Sequence, residues 1–173
     1  MADWPQSRPF NKTHISVSSL QGTLNGGVSS IGSAAWPIAN RAIYAPFRLS
    51  FPFSVSAMWV IVGTAISGSV DLGIYSADGT RLVSSGIGTP TSINSIYSVT
   101  FTDIVLAPGQ YFMAMSNGIV GQFQRISLTG VSHQRATGCF QQATAHPLPS
   151  TAAFAAVTTA YLPCVGITSK STI

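Results

Sequence analysis

The chain has 173 residues, and charged side chains make up only 7% of them, against about 25% in a typical globular protein. A hydrophobic content of 46% excludes a disordered chain, and the length suits a single domain. Glu is absent and Lys occurs twice, which argues against long surface helices, because such helices rely on Glu and Lys for propensity and ion pairs.

The low charge also bears on the exterior of the protein. Solubility usually requires many surface charges of both signs, so either hydroxyls and amides coat this surface or other subunits cover it. The second alternative favours a subunit of an assembly. The formal net charge of +4 comes from scattered arginines that form no basic stripe, which argues against nucleic-acid binding.

The first predicted segment is an extended arm over residues 1–35, rich in Gly and Ser. Short patches such as His14 to Ser18 are compatible with strands. A loose tail is the alternative, since chain ends are often poorly ordered. We expect docking on a neighbouring subunit instead, because the arm carries four apolar anchors: Trp4, Phe10, Val17 and Leu20.

Strand patterns begin after Trp36 and alternate in the first half of the domain. Ala42 to Phe51 places Phe47, Leu49 and Phe51 on one face, with Pro46 at an edge or bulge. Val55 to Val62 is a short apolar run that predicts a strand buried on both faces.

A hairpin is predicted next. Val70 to Tyr75 alternates, which directs Asp71 to solvent, and Asp78-Gly79 then turns the chain into Thr80 to Val83.

The remaining patterns are also typical of strands. Ile96 to Phe101 alternates, Ala107-Pro108-Gly109 is a turn, and Tyr111 to Met115 and Gln122 to Leu128 follow. Ala152 to Ile167 fits a strand or a short helix, of which we favour the strand. Together these elements predict an all-β, antiparallel, jelly-roll-like sandwich over residues 36–173.

Catalytic chemistry has little support in this sequence. The four acids Asp3, Asp71, Asp78 and Asp103 lie far apart, so the carboxylate pair of a glycosidase is not expected. The three histidines fall in separate loop-like contexts, and no nucleotide-binding, hydrolase or metalloprotease motif is present. We therefore expect a non-enzymatic protein with no cofactor and no metal site.

Two further features have alternative interpretations. Trp36 precedes the first strong strand and is the aromatic most expected to be exposed, so it is the candidate glycan contact; the alternative is that the aromatic residues are core. Cys139 and Cys164 are expected to be buried free thiols of a reducing compartment, rather than a disulfide or a zinc site.

Three stretches carry a family resemblance: residues 40–48 (NRAIYAPFR), residues 70–86 (VDLGIYSADGTRLVSSG) and residues 106–115 (LAPGQYFMAM). In these the chain resembles small virion proteins of tailed bacteriophages and prophages. The resemblance implies a β-sandwich or jelly-roll subunit with no catalytic residues to carry over.

The resulting prediction is a capsid decoration or tail-associated subunit, which binds copies of itself and other virion proteins such as capsid or tail subunits. The alternative is a host-attachment or carbohydrate-binding module. The start of the chain lacks the basic and apolar regions of a secretory signal, and no apolar stretch is long enough for a membrane helix. We therefore expect synthesis in the host cytoplasm and incorporation into the virion.

Overall fold

A computed structural model of the protein describes residues 14–16, 31–66, 68–126 and 130–169. The described strands are β1 His14–Ser16, β2 Ile31–Ala35, β3 Ala42–Leu49, β4 Phe53–Ile61, β5 Val70–Ser76, β6 Arg81–Ser84, β7 Ile96–Leu106, β8 Gly109–Asn117, β9 Gln122–Ile126, β10 Phe140–Gln142, β11 Ala155–Ala156, β12 Leu162–Pro163 and β13 Val165–Thr168. A short helix, α1 (Val131–Ala136), follows β9. In this part of the chain no helix is long and apolar enough to cross a membrane.

The strands form three antiparallel sheets. Their orders are β1-β13-β4-β7, β11-β10-β3-β8-β5-β6 and β12-β9-β2. The sheets pack against one another, so the prediction of an all-β sandwich is confirmed.

The main core lies between the four-stranded and six-stranded sheets. Alternate residues of β3, including Phe47 and Leu49, pack there against Met113 and Met115 of β8. The opposite sheet contributes Met58 and other apolar residues of β4 and β13. Phe51, predicted to share the face of Phe47 and Leu49, instead lies beyond the end of β3 and is exposed.

The outer face of the six-stranded sheet is also covered. Residues 143–154, which follow β10, return across it, where Leu148 and Phe154 pack on Tyr44 and Tyr75. Two T-shaped ring contacts join this second cluster, with centroids 5.2 Å apart for Tyr44–Tyr75 and 5.1 Å apart for Tyr44–Phe154. Because both faces of this sheet are packed, the first six residues of β5 are all buried.

The predicted hairpin between β5 and β6 is confirmed. Gly79 has φ +89, a conformation that residues with a side chain rarely adopt. Asp78 accepts hydrogen bonds from Thr80 N at 3.1 Å and from the Ser76 hydroxyl. These hydrogen bonds lower the pKa of the exposed Asp78 carboxyl.

Strand β4 differs from its prediction. Its residues alternate between buried and half-buried, so only one face lies fully in the core, and the expectation of two buried faces is wrong. In β7 the prediction is confirmed, because Tyr97, Val99 and Phe101 share the half-buried face while the intervening residues are exposed.

The two described parts of the predicted arm are both paired strands. β1 pairs with β13, and β2 pairs with β9. The predicted anchors Trp4, Phe10, Val17 and Leu20 lie outside the described residues.

Candidate functional site

Trp36 is fully buried, so the expectation of an exposed ring that stacks on a glycan is wrong. Its indole lies edge-on to Tyr161, with centroids 5.2 Å apart, and to Phe123, at 6.1 Å. Its Nε1 donates to the Arg41 carbonyl oxygen at 3.2 Å. The ring faces inward because β2, which ends at Ala35, pairs with β9 and directs the chain into the core.

Several other aromatic residues are also core residues, which agrees with the alternative that the aromatic residues are core. Tyr44, Tyr75 and Tyr161 are buried, and their hydroxyls have partners within the protein. Burial raises the pKa of Tyr75 to about 12 and raises those of Tyr44 and Tyr161 further. Trp59 and Tyr97 are half-buried within strands.

Asp71 is buried, and the expectation that it points to solvent is wrong. Alternation in β5 identified its two faces correctly, but residues 143–154 cover the face that was assumed to be solvated. The Asp71 carboxylate accepts from Ser84 Oγ at 2.7 Å, Ser85 Oγ at 3.3 Å and Leu148 N at 3.0 Å. It therefore joins three segments of the chain: β5, the end of β6 and the covering segment.

His146 lies in the same region, between two serine hydroxyls. Its Nε2 is 2.9 Å from Ser69 Oγ, and its Nδ1 is 2.9 Å from Ser116 Oγ. Burial lowers the pKa of His146, and the negative charge of Asp71 acts in the opposite direction. The loop histidine that the sequence suggested is thus hydrogen-bonded to β8 and to the residue before β5.

The Ser69–His146 contact has the distance of a nucleophile–base pair, so its surroundings decide what it can do. In a serine hydrolase a carboxylate orients the second imidazole nitrogen. Here that nitrogen contacts the buried Ser116 hydroxyl, and both Asp71 oxygens accept hydrogen bonds from other groups. The arrangement matches an anchor that fastens the covering segment to the sheet.

The remaining titratable candidates do not converge either. Asp103 is exposed on β7, and Asp78 belongs to the β5–β6 turn. Within the described ranges no group of three His, Cys, Asp or Glu side chains could hold a metal ion. A shallow depression at one end of β3 and β8 is lined by Arg48, Leu49, Ser50, Pro108 and Gly109.

Cys139 and Cys164 are buried and are not joined in a disulfide, as predicted. Burial raises the pKa of the Cys164 thiol to about 11, so it stays protonated at neutral pH and is a poor nucleophile.

Exposed apolar side chains are the feature that strand prediction missed. Val105 is 72% exposed, Ile96 is 64% exposed, and Ile87 in the preceding connection is 59% exposed. Ile96 and Val105 lie on β7, which forms one edge of the four-stranded sheet. Alternation did indicate that Ile96 faces away from Tyr97, but no local pattern shows whether that face is covered.

No family model, curated protein sequence or solved structure matches this chain. The candidate site therefore rests on the geometry of its own residues.

Proposed function

We propose that the protein is a non-enzymatic structural subunit of a tailed-phage virion, a capsid decoration or tail-associated protein that assembles with copies of itself. The observation that carries the assembly role is the group of exposed apolar side chains that includes Ile96 and Val105. Isolated exposed apolar residues are common, but here they accompany a sequence with only 7% charged residues. Burial between subunits removes such side chains from water at a gain of about 25 cal/mol per Å².

The interior of the sandwich supports the same role. Asp71 and His146 are engaged with neighbouring hydroxyls and a backbone N–H, so they strengthen the subunit and leave no pair of free catalytic groups between them. Trp36, the candidate glycan contact, is packed in the core. Nothing at these residues favours the alternative of a carbohydrate-binding module.

The virion part of the proposal rests on the resemblance of residues 40–48, 70–86 and 106–115. In the fold these stretches correspond to β3, to the β5–β6 hairpin and to the connection from β7 into β8. They are parts of the sandwich framework, as expected of a resemblance between structural subunits.

The test is the association state of the purified full chain. We expect size-exclusion chromatography with light scattering to give oligomers that dissociate on dilution. Val105→Lys should weaken association, because it places a charge in the covered surface. Ala143→Lys, which adds the same charge at an exposed residue of the segment that follows β10, should leave association unchanged. A monomer at every concentration would contradict the proposal.

A further inference from the structure

The outer edge of β7 is unpaired among the described strands. β7 is the last strand of its sheet and has 11 residues, which makes it the longest described strand. Exposed edges of this kind are usually protected by Lys, Pro or short length. β7 has neither Lys nor Pro, and Asp103 is its one charged residue. A break in the register between Val55 and Ala57 of β4 divides the pairing, and the longer regular part of this edge is its first five residues, Ile96 to Thr100.

The hydrogen bonds around β4 show which residues of β7 face outward. Val62 N donates to Ser95 O at 2.8 Å, on the β7 side. Ile61 N donates to Cys164 O at 3.1 Å, on the β13 side. Successive residues of β4 therefore form backbone hydrogen bonds alternately with β13 and with β7. The even-numbered residues of β4 bond to β7.

The same alternation continues along β7. Tyr97 and Val99 stand opposite even-numbered residues of β4 and bond to them. Ile96, Ser98 and Thr100 therefore direct their N–H and C=O groups outward. Their side chains are exposed as well, so this short edge presents both backbone groups and the apolar Ile96 side chain.

We propose that this edge binds residues 1–13 of a second copy of the chain as an added antiparallel strand, with Phe10 opposite Ile96. The inference rests on the proposed assembly role and names the surface that receives the predicted arm. Every described strand pair in the protein is antiparallel, so the added strand continues the same pattern. Main-chain hydrogen bonds then supply affinity, and Phe10 covers the exposed Ile96.

The prolines of the segment fit an edge strand in this register. Pro5 and Pro9 are four residues apart, so both lie on the same side of an extended chain. With Phe10 opposite Ile96, the even-numbered residues bond to β7 and the two prolines face away, where their missing N–H groups matter least. Proline on that side also discourages a further strand from adding.

Distance requires that the segment come from another copy. In the paired registers His14 of β1 lies level with Thr100 of β7. Three strand spacings separate the two residues, a distance of about 14 Å across the sheet. Phe10 opposite Ile96 would lie beyond β7, four strand spacings (about 19 Å) from His14 across the sheet and about 14 Å along the strand direction, so about 24 Å would separate the two residues. The four residue steps from Phe10 to His14 span at most about 14 Å. A chain cannot close this contact on itself.

Cross-linking of mixed variants tests the partner and the register. One full-length variant carries Arg8→Cys and the other carries Ser98→Cys, which the proposed register places side by side. The two native cysteines are buried, so background reaction is low. After mixing and treatment with a short bismaleimide, we expect a covalent heterodimer that neither variant alone gives in similar yield. The control replaces Ser98→Cys by Ala143→Cys, at an exposed residue of the segment that covers the other sheet.

Proline substitution tests the edge itself. Ser98→Pro removes an outward-facing N–H, whereas Ser98→Ala keeps it, and both lose the side-chain hydrogen bond to the Met58 carbonyl oxygen. We expect Ser98→Pro to associate roughly tenfold more weakly than Ser98→Ala, the factor expected for about one backbone hydrogen bond. Thermal melts of dilute samples show whether either variant has lost its fold. If one has, the cross-linking experiment tests the proposal in its place.

The outcomes separate the two proposals. Association without preferential cross-linking between positions 8 and 98 would overturn the β7 inference and leave the assembly role intact. A cross-link formed within one chain of a variant that carries both Arg8→Cys and Ser98→Cys would also overturn it. If neither the wild type nor any variant associates, the assembly role fails and the inference fails with it.

Discussion

At the scale of single residues, the most consequential contact is that of the buried Asp71 carboxylate. It accepts hydrogen bonds from two hydroxyls and from the Leu148 N–H, and the last of these ties the covering segment to β5. Removal of the carboxylate leaves the buried Leu148 N–H without its partner. The loss of folding free energy is large when such a group cannot form a hydrogen bond with water instead.

We predict that Asp71→Ala lowers the free energy of unfolding by about 3 kcal/mol. The matched control is Asp103→Ala, since Asp103 is exposed on β7, and it should change stability by less than about 0.5 kcal/mol. Urea denaturation of both variants measures the difference. Equal effects of the two substitutions would show that the Asp71 network contributes nothing specific.

His146 gives a prediction about pH. Burial lowers its pKa below the unfolded value of about 6.5, so the folded protein disfavours protonation of the imidazole. Between these two pKa values the unfolded chain binds more protons than the folded one. The stability due to the neutral imidazole is therefore complete above about pH 6.5 and decreases as the pH falls through the folded pKa.

The measurement is the free energy of unfolding of wild type and His146→Gln from pH 7.5 to pH 5. The wild type should lose more stability over this range than the variant. Ala143→Gln, which changes an exposed residue of the same segment and removes no titratable group, should keep the wild-type slope. Parallel curves for wild type and His146→Gln would contradict the prediction.

At the scale of elements, the segment of residues 143–154 covers the second core. Leu148 is buried within the cluster that contains Tyr44, Tyr75 and Phe112. Its backbone carbonyl also accepts a hydrogen bond from Arg81 Nη1, on β6. The segment is thus held both by apolar packing and by polar anchors.

We predict that Leu148→Ala destabilises the protein by about 2–5 kcal/mol, because it opens a cavity under the covering segment. Leu82→Ala, which truncates an exposed leucine of β6, should cost under about 1 kcal/mol. Thermal or urea denaturation distinguishes the two. A small effect of Leu148→Ala would mean that the segment can collapse into the cavity.

Local pattern predicted the elements whose residues carry their own signal. The Asp78-Gly79 turn specifies the β5–β6 hairpin, and alternation identifies both faces of β7. Helix α1 was missed because six residues are too few to show a period, and it depends on a distant contact. Within it the buried Gln134 side chain bonds both the N–H and the carbonyl oxygen of Tyr161.

The errors at the candidate site share one cause. Asp71 and Trp36 were assigned to solvent because local pattern cannot show which distant segment covers a face. Residues 143–154 cover Asp71, and the pairing of β2 with β9 directs Trp36 into the core. Both contacts join positions far apart in the sequence, where a single chain without aligned relatives gives no signal.

At the scale of the whole molecule, we expect stability and assembly to be separable. The buried residues of the two described core clusters lie between Trp36 and Ile167. If residues 1–13 bind a second copy, as proposed, the core of their own subunit should form without them. Removal of residues 1–35 would be a poor test of the arm, because it also deletes β2, which pairs with β9. Removal of residues 1–13 spares β1 and β2.

We predict that a variant lacking residues 1–13 keeps the unfolding midpoint of the full chain in dilute solution but loses its concentration dependence. Association that involves only the folded state stabilises it by mass action, so the midpoint of the full chain should rise with protein concentration. Without the segment that binds a second copy, the midpoint should stay constant over the same range. Differential scanning calorimetry over a hundredfold range of concentration measures both. An equal rise in the two proteins would place the association surface elsewhere on the sandwich, whereas a lower midpoint of the shortened chain at every concentration would show that residues 1–13 stabilise their own subunit.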